Sequence, residues 1–98
     1  MAKYDVFLDS SNVMLLEVQA DLLSTLNTRV VVPLLEVGSA PKPADRLNPV
    51  FTIQAEKRVM ATQFLAAVPL HELREKIGSL KDQEFEITAA LDMLFSGF

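Results

Sequence analysis

Arg29-Val30-Val31-Val32-Pro33-Leu34-Leu35-Glu36-Val37 is a near-continuous run of β-branched residues and leucine, the composition of a strand buried on both faces. One residue interrupts it: Pro33 has no N–H to give a ladder, so a bulge or an unpaired edge position is expected there. Upstream, Tyr4, Val6 and Leu8 alternate with Lys3, Asp5 and Asp9, a period of two that predicts a strand over 3–8 with one face on a core and one in water. Ser10, Ser11 and Asn12 are turn formers. After them Met14, Leu16, Val18 and Ala20 alternate with Leu15, Glu17 and Gln19, which completes a hairpin.

Downstream of the central run the chain turns to Gly, Ser, Ala, Pro, Lys and Asp from Gly38 to Pro49, with three prolines that deny donors to a ladder. This predicts a long loop. Phe51, Ile53 and Ala55 then alternate with Thr52 and Gln54, and after the polar step Glu56-Lys57-Arg58 the run Val59 to Val68 predicts another extended segment, again paired as a hairpin. Few residues separate these strands, fewer than the dozen or more a parallel crossover needs, so the sheet is expected to be mostly antiparallel.

The pattern changes after Pro69. Leu70 to Ile77 predicts a short helical turn stopping at Gly78, and Ser79 followed three residues on by Asp82 is an acidic variant of the capping box opening a final helix. Ile87, Leu91, Leu94 and Phe98 fall at i, i+4, i+7 and i+11, one apolar stripe that should dock on the sheet. Asp82, Glu84 and Glu86 crowd the first turns, where the helix dipole favours anions. Gly97 suits a left-handed C′ position, which leaves Phe98 as an exposed hydrophobic end. The chain has no internal repeat and no low-complexity segment.

Composition bounds the function. With 98 residues, 50% hydrophobic and 22% charged, one globular domain over 1–98 is expected. A chain of this size buries only about 60 to 65% of its unfolded surface, so dimerisation would help it. It has no cysteine, which removes disulfides and cysteine zinc sites and fits a reducing cytoplasm. The net charge of −4 is the wrong sign for phosphate backbones, so direct nucleic-acid contact is not expected. The start, Met1-Ala2-Lys3-Tyr4-Asp5, lacks the apolar core of about 7 to 15 residues that a signal peptide needs. The apolar stretches Val30–Leu35 and Phe64–Leu70 are broken by proline and far shorter than the ~20 residues that span a bilayer, so a soluble protein is expected.

Catalytic chemistry finds no constellation. His71 stands alone beside Glu72, and a solvated histidine at a helix start accounts for it better than a metal ligand. Glu84 and Glu86 are i and i+2 on a helix and point apart, so they are no acid–base pair. Asp5 and Asp9 sit on the polar side of the first strand, and neither a glycine-rich phosphate loop nor a Gly-x-Ser-x-Gly elbow occurs. No enzyme, cofactor or metal site is expected. The peculiarity is the end of the chain, where Met93, Leu94, Phe95 and Phe98 concentrate large apolar side chains at a position usually polar and frayed. Two explanations stay open: these residues pack under the helix or seal a homodimer, or they form a partner-binding tip.

Three blocks give the chain a resemblance. They are Leu15-Leu16-Glu17-Val18-Gln19-Ala20-Asp21-Leu22-Leu23 continuing from Arg29 to Pro33-Leu34, Arg46-Leu47-Asn48-Pro49 leading into a strand, and Ala90-Leu91-Asp92-Met93-Leu94-Phe95-Ser96-Gly97-Phe98 at the close. Together they resemble the CcdB family of plasmid-maintenance toxins, the DNA gyrase poisons of toxin–antitoxin pairs, over nearly the whole chain. The resemblance implies a mainly β fold of the SH3-like barrel type shared with Kid and MazF, with an antiparallel sheet, a small accessory sheet and one C-terminal helix. It also implies a symmetric homodimer whose C-terminal ends insert into the gyrase A subunit and trap the enzyme on cleaved DNA, without covalent chemistry by the toxin. Carried over by position, the gyrase-facing residues would be Leu22, Leu23, Asp92, Phe95, Ser96, Gly97 and Phe98, with core packing an equal alternative for Leu22 and Leu23. The family's closing tripeptide is Trp-Gly-Ile, whereas this chain ends Ser96-Gly97-Phe98. A CcdA-like antitoxin with a disordered segment that folds on binding is implied as well, without assigned residues.

Two other functions are compatible with the fold so implied. A homologue weakened or retargeted by the loss of the tryptophan would keep the scaffold and lose gyrase. A ribonuclease of the MazF or Kid kind would need a basic groove, and the four arginines, Arg29, Arg46, Arg58 and Arg74, are spread along an acidic chain.

Overall fold

The computed structural model describes every residue except Met1, Pro41 and Pro43. Seven strands and one helix follow in chain order: β1 (Asp5–Leu8), β2 (Met14–Glu17), β3 (Thr28–Glu36), β4 (Val50–Ile53), β5 (Glu56–Met60), β6 (Ala66–Pro69), β7 (Glu75–Ser79) and α1 (Glu84–Ser96). All pairings are antiparallel, in the order β4-β5-β3-β2-β1-β7 with β6 also on β3, and the sheet curls into a half-barrel with the helix at the end of the chain. The fold is thus mainly β with one C-terminal helix, as the sequence and the resemblance lead one to expect.

β3 is the hub, and Pro33 marks where it changes partners. Thr28 to Val31 pair with β6, and Leu34 to Glu36 pair with β5, which with β4 makes the smaller accessory sheet. Pro33 lies between the two, and its carbonyl accepts from the Ala61 N–H at 3.0 Å. N–H and C=O of a strand residue point to the same side, so the missing donor falls where one partner strand has ended and the next is beginning. The other edge of β3 is paired up to Pro33 itself, with Leu15 opposite it on β2.

The alternation in β1 and β2 does not separate core from water. Val6, Leu16, Val32, Leu34, Met60, Ile87 and Ala90 form the main core, while Phe7, Leu15, Val31 and Leu73 make a second cluster with Val68 packed against it. Both faces are therefore covered, and the residues read as solvent-facing, Asp5, Leu15, Glu17 and Gln19, are all buried. The segment that includes β6 and Leu73 supplies the second cover.

Several boundaries differ from expectation, and β2 ends at Glu17 where the alternation runs on to Ala20. Strand β1 begins at Asp5, because Tyr4 takes φ 76° while its N–H bonds the Glu17 carbonyl and its carbonyl accepts from Leu80, each at 2.8 Å. Ala55 is not in a strand: Gln54 (φ 52°) and Ala55 (φ 67°) form the two-residue turn between Ile53 and Glu56, and Glu56-Lys57-Arg58 opens β5. The run Val59–Val68 is cut by a 3₁₀ turn at Thr62–Phe64, where Asn48 Nδ2 donates to the Met60 carbonyl at 2.9 Å and to Gln63 Oε1 at 2.7 Å. Leu70–Ile77 is helical only over the 3₁₀ turn Leu70–Glu72. Gly78 lies within β7, since pairing with the open edge of β1 outweighs the helix propensity of Glu, Leu and Lys.

Helix α1 follows a 3₁₀ turn at Lys81–Gln83 and carries no side-chain cap. The expected capping box is absent, and Ser79 Oγ instead accepts from the Lys81 N–H at 3.2 Å. Ile87 and Ala90 are fully buried and Leu91 and Leu94 half-buried, but Phe98 leaves the stripe. Gly97 at φ 81° ends the helix in the left-handed conformation, its N–H on the Met93 carbonyl at 3.1 Å, and turns the last residue outward.

Candidate functional site

The last turn of α1 presents apolar surface to solvent. Phe95 is 70% and Phe98 79% exposed, and Asp92, Ser96 and Gly97 are exposed around them. Met93 and Leu94 are half-buried, so the helix is seated by one side while its end projects. Two phenylalanine rings left in water beside polar neighbours have the character of an interaction surface.

A second apolar projection is built on the β2–β3 connection. Leu22, in the 3₁₀ turn Asp21–Leu23, is 91% exposed, and Leu23 and Leu26 are about half exposed. Leu22 and Leu23 are therefore not core residues. The connection is held from below: Gln19 Nε2 donates to the Leu23 carbonyl at 3.1 Å while its Oε1 accepts from the Val30 N–H at 3.1 Å. Arg29 Nη2 donates to the Ser24 carbonyl at 2.7 Å, and its Nη1 to the carbonyls of Leu26 and Thr28. At the other end the Lys3 N–H donates to Asp21 Oδ1 at 2.7 Å.

Behind this projection lies a buried charged pair. Arg29 Nε is 3.5 Å from Glu17 Oε2, both side chains 4% exposed, and among the described residues Glu17 Oε1 has no hydrogen-bond partner. Removal from water pushes the Glu17 carboxyl above its ordinary range. Arg29 opposes that, and the negative charges of Asp5 and Asp21 reinforce it.

All seven residues singled out in the sequence, Leu22, Leu23, Asp92, Phe95, Ser96, Gly97 and Phe98, face solvent, but they belong to two separate segments. Among the described residues no hydrogen bond joins the β2–β3 connection to the last helical turn, and α1 touches chiefly the turns Thr62–Phe64 and Lys81–Gln83. Sequence reasoning missed Leu26, a lone apolar residue in the polar stretch Ser24-Thr25-Leu26-Asn27, and Phe85, which is 82% exposed and sits two positions before Ile87, off the apolar stripe. Phe85 borders a groove lined also by Arg46, Asn48, Pro49 and Ala89. It missed Arg29 and Gln19 as well, because nothing in a strand's alternation reveals that a polar side chain is bonded under a loop.

His71 is exposed in its 3₁₀ turn, and among the described residues no three His, Asp or Glu side chains come together as metal ligands. No helix is long and apolar enough to cross a membrane. The family model for CcdB protein matches residues 3–97. With that match spanning nearly the whole chain and a curled antiparallel half-barrel carrying one terminal helix, the chain belongs to the CcdB family, the toxins of toxin–antitoxin pairs.

Proposed function

We propose that this chain is a single-domain toxin of a type II toxin–antitoxin system that acts in the cytoplasm as a homodimer. It binds the DNA gyrase A subunit through Phe95, Ser96, Gly97 and Phe98 with Asp92, helped by Leu22 and Leu23, and holds the topoisomerase in its cleaved state. A CcdA-like antitoxin neutralises it. The observation that carries the reading is the pair of solvent-exposed phenylalanines at the end of a helix whose other side is seated in the core. A twofold axis near the helix ends would double that apolar area into one wedge, and exposed aromatic groups are the residue types that dominate such contacts.

A second reading rests on Ser96. Where the family closes with tryptophan, this chain offers a hydroxyl, so the same tip would suit a weakened inhibitor or another partner. The ribonuclease reading finds less support: Arg29 is committed inside the fold and Arg58 Nη2 pairs with Glu56 at 3.1 Å, which takes two of the four arginines away from any basic groove. Purified protein mixed with gyrase and relaxed plasmid decides among these. Gyrase poisoning requires inhibited supercoiling and trapped cleavage complexes at micromolar protein; intact supercoiling ends that reading, and cut RNA in a parallel incubation would establish the nuclease.

A further inference from the structure

We infer that Gln19, Asp21 and Arg29 are positioning residues that pre-form the Leu22–Leu23 projection for its partner. The inference rests on the reading that Leu22 and Leu23 make contact with gyrase A, and adds how they are held ready for it. An apolar side chain as exposed as Leu22, on a three-residue 3₁₀ turn, has no packing to fix it. Its main chain must be fixed instead. The carbonyls of Leu23, Ser24, Leu26 and Thr28 all accept hydrogen bonds from side chains rooted in the sheet, and Asp21 ties the start of the turn to the Lys3 N–H. Gln19 and Arg29 are themselves buried, and Gln19 is locked by the Val30 N–H, so the donors cannot wander. Two buried side chains holding four carbonyls of one connection fix its main chain from beneath the exposed Leu22 and Leu23. Rigid presentation of an apolar tip removes the ordering entropy that binding would otherwise have to overcome.

The test compares Asp21→Ala, Asp21→Asn and Gln19→Met with Leu22→Asp in the full chain, by binding to purified gyrase A subunit and by amide hydrogen exchange. Asp21 is exposed, so its variants keep the fold even if Gln19→Met does not. Asp21→Ala should speed exchange at Leu23, Ser24 and Leu26 while leaving the β1–β3 amides protected, and weaken binding on the order of twofold to tenfold, the equivalent of one hydrogen bond. Asp21→Asn keeps the acceptor for Lys3 and should restore both, which a charge effect or a general loss of stability would not do. Unchanged exchange in Asp21→Ala and Gln19→Met overturns the inference whatever gyrase does. Faster exchange with unchanged binding, while Leu22→Asp abolishes binding, overturns it and leaves the gyrase reading standing. If Leu22→Asp binds as tightly as the parent, the contact assignment fails and the inference falls with it.

Discussion

Arg29 and Glu17 meet between β3 and β2 with Nε 3.5 Å from Oε2, both side chains almost wholly removed from water. Register explains the contact: Glu17 lies opposite Val31, which puts Arg29 diagonally across the same face of the ladder. The guanidinium also donates to three main-chain carbonyls, while among the described residues one Glu17 oxygen has no hydrogen-bond partner. The pair is thus a tie between the sheet and the connection above it.

Removing one partner should therefore hurt more than removing both. Arg29→Met leaves a buried carboxylate without its counter-charge and is expected to lose about 3 to 5 kcal/mol. Adding Glu17→Met should recover part of that loss, so urea unfolding of the two single variants and the double variant must give a sum of single losses larger than the double loss.

Stability should fall with rising pH on account of Glu17. Its carboxyl titrates above 4.5 in the folded chain, so between its ordinary value and the raised one the folded state holds more protons than the unfolded state. The contribution is complete below about pH 4.5 and is lost as pH climbs through the raised value. Glu17→Gln removes this slope; urea midpoints for parent and variant should diverge in the variant's favour as pH rises, and parallel curves would refute the assignment.

The β4–β5 turn carries two non-glycine residues with positive φ, Gln54 and Ala55, where such two-residue turns favour Asn-Gly. Each left-handed residue of this kind is disfavoured by roughly 1 to 2 kcal/mol relative to glycine. Changing the pair to Asn and Gly should raise the unfolding free energy by about 1 kcal/mol or more, with no change in partner binding because the turn lies on the accessory sheet.

Seat and tip of α1 should separate in measurement. Ile87→Ala opens a hole in a fully buried position and is expected to lose about 2 to 5 kcal/mol in thermal or urea unfolding. Phe95→Ser and Phe98→Ser alter exposed rings and should stay within about 0.5 kcal/mol of the parent, yet weaken binding to gyrase A.

Ser96→Trp probes the departure at the closing tripeptide. An aromatic anchor at a central contact commonly contributes about 2 kcal/mol or more, on the order of thirtyfold in affinity. Growth inhibition and gyrase A binding should both rise by that order; no gain in either would favour the retargeted reading.

Much of the architecture follows from local chemistry. β-Branched runs with short polar connections can only pair antiparallel, a proline can only sit where its missing N–H is not needed, and Gly97 can only serve the left-handed end of the helix, so these were legible in the order of residues. The exposed end at Phe98 followed from the same glycine. What lay beyond reach depends on contacts between residues distant along the chain. Glu17 and Asp5 read as solvent-facing because alternation assumes one covered face, whereas a second apolar cluster of Phe7, Leu15, Val31 and Leu73 covers the other and both carboxylates are buried. Leu70–Ile77 holds good helix formers, and only the open edge of β1 draws its second half into a strand. The distinction between seated Ile87 and projecting Phe85 and Phe95, and the gripping of Leu23 by Gln19, were likewise decided in three dimensions. Burial and hydrogen-bond partners are properties of pairs of segments, whereas turn and strand propensities belong to single residues and their neighbours.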